Sequence, residues 1–383
     1  MDDRRLMDRV TEEFRLAPDL CHLNHAAVGP WPRRTAAAVA QFATENASQG
    51  SLAYPRWLSV EQRLRERLAR LIGAASPDDI ALAKNTSEAL SVIAHGLGWQ
   101  AGDSILGIRQ EFPSNRIVWE SLAAQGVRWR ALDLASTADP EQALMALCDE
   151  GTRMIAVSWV QYASGLRLDL KRLGAFCRSR GILFCVDAIQ GLGALPFDLA
   201  EAQADFVVAD GHKWMLGPEG VALLYVRPEQ RDRLRLQQFG WHMVEHCGDF
   251  DRADWTAARS ARRFECGSPN LLGVHALEAS LSLLEEIGME QVWSQLQTRT
   301  EHLLSLIDQR GFELLSPRAP DRRAGILTFR VPGFPSDRLY SELMAHQVLC
   351  AHRGGGIRFS PHFYTPLSVL DQAMERVDAL VRA

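Results

Sequence analysis

The sequence predicts an α/β protein: a mostly parallel sheet with helices on both faces, followed by a smaller α+β region toward the C-terminus. Three observations predict it. From about residue 100 to 226, short β-rich runs at 104–108, 128–133, 153–159, 182–187, 205–209 and 220–226 alternate with helical stretches, the pattern of strands joined by crossover helices. Apolar residues then recur at helical spacing through 272–287 and 292–307, ahead of a strand-like run at 326–331 and a last helix from about 368 to 382. The 383 residues suffice for a large core with a smaller lobe.

Taken in order, the elements have separate warrants. Trp57, Val60, Leu64, Leu68 and Leu71, three and four residues apart, give a helix with one buried face. The run Ile182-Leu183-Phe184-Cys185-Val186 is apolar throughout, as a strand covered on both faces should be, and there Cys185 serves as a small hydrophobe. After residue 240 the composition loosens through Gly240, Gly248 and an arginine-rich stretch to Arg263. The expected organisation is an N-terminal segment (1–20) packing with the smaller domain, a large domain over 21–255 and a small α+β domain over 256–383.

Composition excludes several functions. Lys plus Arg number 42 and Asp plus Glu 47, a net charge of −5, so no basic excess is available to grip a nucleic-acid backbone. No apolar stretch approaches the roughly 20 residues that cross a bilayer. The opening Met1-Asp2-Asp3-Arg4-Arg5 lacks the basic and apolar regions of a signal peptide, so a cytoplasmic location is expected. The cysteines at 21, 148, 177, 185, 247, 266 and 350 form neither a disulfide frame nor a zinc-ligand spacing. Only three of the 42 basic residues are lysines, Lys84, Lys171 and Lys213, so each is a candidate for chemistry that needs a primary amine.

Ligands of an open parallel sheet gather beyond the carboxyl ends of its strands, and four segments there stand out. Phe206-Val207-Val208-Ala209-Asp210-Gly211-His212-Lys213-Trp214 presents a lysine after a buried strand, where desolvation lowers its pKa and favours Schiff-base chemistry. Phe184-Cys185-Val186-Asp187-Ala188-Ile189-Gln190 ends another buried strand in a carboxylate, one strand–helix–strand step earlier. A carboxylate near such a lysine suits pyridoxal phosphate (PLP), whose ring nitrogen it keeps protonated, although an Asp after a strand can equally cap a helix. Lys84-Asn85-Thr86-Ser87-Glu88 opens an apolar helix, either as a phosphate cradle or as a simple cap. Gly354-Gly355-Gly356-Ile357-Arg358-Phe359 sets an arginine among apolar residues, calling for a carboxylate ligand or a buried ion pair.

Together these segments resemble the class V aminotransferase family of fold-type I PLP enzymes, which includes cysteine desulfurases, selenocysteine lyases, isopenicillin-N-epimerase-like proteins and kynureninases. The resemblance runs from Leu23-Asn24-His25-Ala26-Ala27-Val28-Gly29-Pro30 to the final helix and is most specific in Val186-Asp187-Ala188-Ile189-Gln190 and Asp210-Gly211-His212-Lys213-Trp214. It implies a seven-stranded, mostly parallel sheet in a PLP-dependent transferase fold, with PLP on Lys213. Lys213 would also shuttle the proton at Cα, Asp187 would pair with the pyridinium nitrogen, and Gln190 would bond the phenolic oxygen. Thr86, Ser87 and His212 would hold the phosphate. Phe112 would stack on the ring, where the family often has a histidine. Arg358 would grip the substrate α-carboxylate, with backbone near Ala26 and Ala27 closing that end. Ser268, in Arg263-Phe264-Glu265-Cys266-Gly267-Ser268-Pro269-Asn270, would reach the neighbouring phosphate in a homodimer with shared sites.

Departures narrow the expected chemistry. Cys350 lies in an apolar lead-in only eight residues before Arg358, so it is expected to be buried filler rather than the loop nucleophile of a cysteine desulfurase. Asp210 stands where relatives often have a phosphate-binding serine and is expected to turn away. Tyr162 replaces a common cofactor-contacting asparagine. The expected activity is a cysteine-desulfurase-like or C–S lyase reaction without the loop cysteine, with an aminotransferase or amino-acid epimerase as alternative. His242-Met243-Val244-Glu245-His246 also matches the H-x-x-E-H spacing of a zinc peptidase, which would require a helix there.

Overall fold

The protein's structure, a computed structural model, describes residue 10 and residues 12–382. Half of the N-terminal segment whose packing is expected, residues 1–9 and 11, therefore lies outside the described ones. Thirteen strands are present among them: β1 (Cys21–His22), β2 (Ile80–Ala83), β3 (Ser104–Ile108), β4 (Arg128–Leu132), β5 (Thr152–Ser158), β6 (Leu183–Asp187), β7 (Phe206–Asp210), β8 (Ala222–Val226), β9 (Glu313–Leu314), β10 (Leu327–Arg330), β11 (Val348–Leu349), β12 (Ala351–Arg353) and β13 (Gly356–Phe359).

A seven-stranded sheet in the order β2-β8-β7-β6-β5-β3-β4 forms the frame. Strands β4, β3, β5, β6 and β7 run parallel, while β8 is antiparallel to both of its neighbours. All residues of β3, β6, β7 and β8 are buried, which is why these strands read as apolar runs rather than alternating ones. The short β2, only four residues long, is the one strand of this sheet that the sequence reading does not anticipate.

This topology gathers strand ends at one edge. Glu111 and Phe112 follow β3, Tyr162 follows β5, Asp187 ends β6 and Lys213 lies just beyond β7. Because β8 is reversed, Ala222 at its start pairs with both Asp210 and Ala83. The turn at Glu219 and the start of the helix Thr86–Gly96 thus share that edge. Asn85 caps this helix by accepting from the N–H of Glu88 at 2.9 Å, while Glu88 accepts from the N–H of Lys84 at 2.6 Å.

A second, antiparallel sheet has the order β12-β13-β10-β9, and β1 pairs with β11 beside it. Asn24 then bridges to Ser360, so the chain leaves the small sheet and crosses to the large one. There the N–H of Gly29 donates to His212 O at 2.8 Å. A Cβ at Gly29 would lie 2.4 Å from Lys213 O; only glycine allows this approach. The helix Leu271–Ile287, although it follows residue 255, packs on the helices Arg33–Gln49 and Tyr54–Ile72 and contributes Leu277, Leu281 and Leu284 to the core around the large sheet.

Buried histidines fasten the two sheets. His25 pairs through Nδ1 with Ser360 O at 2.9 Å and through Nε2 with the Tyr364 hydroxyl at 2.7 Å. His362 Nδ1 accepts from the N–H of Phe363, so its proton sits on Nε2, which donates to Trp214 O at 3.0 Å. Burial pushes the His362 pKa down to about 3, keeping the ring neutral and this tautomer in place. No helix among the described residues is long and apolar enough to cross a membrane.

Candidate active site

At the shared edge lies a cavity of about 340 Å³ whose walls contain Ala26, Ala27, Thr86, Ser87, Phe112, Asp187, Gln190, His212, Lys213 and Arg358. Its volume falls within the usual range for a small-molecule site. Of the residues expected at the site, only Ser268 is absent from these walls. It is exposed, in the segment between the turn Ala261–Phe264 and the helix Leu271–Ile287.

Of the three lysines, Lys84 is exposed and Lys171 is exposed and paired with Glu201 at 2.8 Å, whereas Lys213 is 8% exposed. Burial lowers the Lys213 pKa to about 8; the negative charge of Asp187 opposes this and the positive charge of Arg358 adds to it. Asp187 is 3% exposed, and burial raises its pKa to about 6 against the N–H of Ile189, which donates to Oδ1 at 3.1 Å, and the charge of Lys213. A buried amine and a buried acid of opposite charge thus face one cavity, each displaced toward neutrality.

Arg358 closes the far end. Nη1 donates to Tyr162 O at 2.7 Å and Nη2 to Asn24 Oδ1 at 3.1 Å, while Nε is buried without a partner. Among the described residues no carboxylate pairs with it. The structural ion pair left open by the sequence is therefore absent there. Burial pulls its pKa down to about 10. Burying an unpaired cation costs several kcal/mol, a cost that an anion in the cavity would offset.

The remaining walls complete the environment. The Phe112 ring lies 5.6 Å from Lys213 Nζ and meets Tyr162 edge-to-face at 5.3 Å. Gln190 Oε1 accepts from Trp214 Nε1 at 2.8 Å and Nε2 donates to Ala26 O at 3.0 Å, leaving one amide hydrogen for a ligand. The N–H groups of Ala26 and Ala27 already donate to Ser360 Oγ and Asn24 O, so these residues act as a wall and not as donors. At the helix start, Thr86 Oγ1 accepts from the N–H of Asp210 at 3.2 Å, and Ser87 Oγ donates to Ser114 Oγ at 2.8 Å. Asp210 Oδ1 lies 3.0 Å from His212 Nδ1, which places the carboxylate against the imidazole.

Two features correct or refine the sequence reading. Residues 241–248 form turns and not a helix, Glu245 is exposed, and His242 lies instead beside Glu61 and Glu265, whose carboxylates both bind Arg65. The H-x-x-E-H match therefore lacks the helical face a zinc peptidase needs. Cys350 is 1% exposed and burial raises its thiol pKa to about 12, which keeps it protonated and unreactive.

Sequence reasoning missed Asn24, which orients Arg358, and Glu111. Glu111 is buried behind Phe112, and its carboxylate accepts from the N–H of Ser158 at 2.8 Å, from Ser158 Oγ, and from Gln161 Nε2 at 3.1 Å. Burial raises its pKa to about 7 against those bonds, with the charge of Asp187 adding to the rise. Ser158 is the register partner of Asp187, so Glu111 anchors the strand end next to it.

A planar aromatic aldehyde bearing a phosphate fits these walls: an amine, a ring-stacking face, a buried acid and a capped helix N-terminus with hydroxyls. Residues 22–359 match the family model described as aminotransferase class V. The chain belongs to the class V aminotransferase family. It is 30% identical to a probable cysteine desulfurase of Methanothermobacter thermautotrophicus over 96% of this chain and 97% of the relative. It is also 30% identical to isopenicillin N epimerase of Streptomyces clavuligerus, over 95% and 96%. The apo cysteine desulfurase of Thermococcus onnurineus NA1 shares its fold, with a TM-score of 0.88 at 24% identity and 98% coverage of both chains. As a member of this family, the protein is a PLP-dependent enzyme.

Proposed function

We propose that the protein is a C–S lyase acting on a cysteine derivative whose α-carboxylate binds Arg358. The observation that carries this reading is the pairing of one buried lysine with one buried acid, opposite a buried arginine that has no protein anion. Bound PLP supplies an electron sink for the pair left at Cα when its proton departs. Lys213 takes that proton, and its lowered pKa suits a base working near neutrality. Asp187 holds a proton on the ring nitrogen by its charge. Thr86, Ser87 and His212 hold the phosphate, and Phe112 covers the ring.

In the overall reaction, water and a thioether of cysteine give a thiol, pyruvate and ammonium: the Cβ–S bond breaks, the sulfur leaves with its electron pair and gains a proton, and the C–N bond is hydrolysed. The buried, protonated Cys350 supports release of sulfur to solvent and not onto an enzyme thiolate. Desulfuration and epimerisation of an amino acid can begin from the same proton removal, so the outcome distinguishes these reactions. A panel of amino acids and S-substituted cysteines is expected to yield pyruvate. Accumulation of pyridoxamine phosphate would indicate an aminotransferase, and loss of optical rotation without pyruvate would indicate an epimerase.

The same reading includes a cytoplasmic homodimer with shared sites, in which exposed Ser268 serves the neighbouring phosphate, and a division into a large domain and a small C-terminal one. Arg358→Ala is expected to raise KM about 10- to 100-fold, the loss of charge-assisted hydrogen bonds to a carboxylate. The visible absorption of bound PLP is expected to persist. An unchanged KM would remove Arg358 from substrate binding.

A further inference from the structure

Away from the cavity that contains Lys213, a buried cluster collects titratable side chains from three parts of the chain. Glu61 comes from the helix Tyr54–Ile72, His242 from the turns at 241–248 and Glu265 from the residue after the turn Ala261–Phe264. Their exposures are 5%, 6% and 7%, and none of them lines the cavity. A carboxylate oxygen of each glutamate and a ring nitrogen of the histidine lie within 4.8 Å of one another.

The protein satisfies only part of this cluster. Arg65 donates from Nη2 to Glu61 Oε1 at 2.5 Å and to Glu265 Oε2 at 2.7 Å, and from Nη1 to Glu265 Oε1 at 2.5 Å. The N–H of Leu82, in β2, also donates to Glu265 Oε1, at 2.8 Å. Glu61 Oε2 and His242 Nδ1, in contrast, are buried with no hydrogen-bond partner among the described residues. A proton on Nδ1 does not repair this. Glu265 Oε2 is 3.7 Å away, beyond hydrogen-bond reach, and Glu61 Oε2 would stay bare. Two carboxylates against one guanidinium also leave an excess of negative charge beside a neutral His242, which a bridging water would not offset.

A divalent cation answers both deficits, because it takes lone pairs from all three atoms at once and brings positive charge to the carboxylates. One imidazole nitrogen with two carboxylate oxygens is a donor set for zinc, whereas calcium and magnesium take oxygen ligands. Zinc bonds of about 2.0–2.2 Å draw the three atoms together by side-chain rotation. Arg65, bonded to both glutamates, then serves as the outer partner that orients ligating carboxylates.

We infer that Glu61, His242 and Glu265 form a binding site for one zinc ion, completed by water. The ion ties the turns at 241–248 to the helix Tyr54–Ile72 and, through Glu265, to the edge strand β2. This site is separate from the lyase reading and does not rest on it.

Zinc chloride titrated into the chelator-washed protein is expected to fill one tight site per chain, measured by equilibrium dialysis with metal analysis, and to raise the Tm as free zinc rises. X-ray absorption at the zinc edge should show nitrogen and oxygen at about 2.0–2.2 Å and no sulfur. His242→Ala is expected to weaken the site about 100-fold or more, since even partners one step removed from a metal contribute about 10- to 100-fold. His246→Ala, at an exposed residue of the same turns, should leave it unchanged. A native protein without a tight site would overturn the inference and leave a bridging water in the cluster. Sulfur in the spectrum would overturn it by assigning the ion to cysteines. A site that survives His242→Ala, or one lost in His246→Ala, would overturn it as well. The spectrum is read on the native protein, so it decides even where a variant fails to fold.

Discussion

Replacement of Lys213 by alanine is expected to remove the visible absorption of the purified protein and to lower kcat by about 10³- to 10⁴-fold, the scale of a lost general base. The structure makes this residue irreplaceable: it is the one buried lysine, and Lys84 and Lys171 are exposed. Its environment also predicts a pH dependence. An ordinary lysine, near pKa 10.4, is neutral in fewer than about one molecule in a thousand at pH 7. With a pKa of about 8, Lys213 is neutral in roughly one in ten. Since only the neutral amine attacks an aldehyde, PLP added to the cofactor-free protein should attach about tenfold faster per pH unit as pH rises toward 8, then level off. Rates that ignore pH below 8 would contradict the lowered pKa.

Asp187→Asn is the second large effect. The amide keeps the shape and the bond from Ile189 but loses the charge that holds a proton on the ring nitrogen, so kcat should fall about 10²- to 10³-fold with the protein still folded and still coloured. Asp187 also opposes the lowering of the Lys213 pKa. In the variant that pKa falls further, and the pH at which cofactor attachment levels off should move down. Stopped-flow absorbance across pH reads both effects. A variant with native kcat and an unmoved profile would show that Asp187 acts on neither group.

The central strands were legible because both their faces are buried, so β3, β6, β7 and β8 appear as apolar runs. Strand β2 was not, since Ile80-Ala81-Leu82-Ala83 is too short to show a period. The rule that ligands lie beyond strand ends led to Asp187 and Lys213. It could also have led to Glu111 after β3, but Arg109 and Gln110 give that stretch the look of solvated loop. Asn24 was beyond reach for another reason: it meets Arg358 across 334 residues of sequence. The H-x-x-E-H match shows the converse hazard: correct spacing between Gly240 and Gly248 without the helix that gives it meaning. The helix Leu271–Ile287 shows that sequence order does not set packing, because its apolar face completes the core of the larger sheet.

The central claim is a covalent bond between PLP and one amine. Borohydride reduction of the purified protein, followed by peptide mapping, tests it most directly. The account predicts a single pyridoxyl adduct, on Lys213. An adduct on Lys84 or Lys171, or none on any lysine, would contradict it.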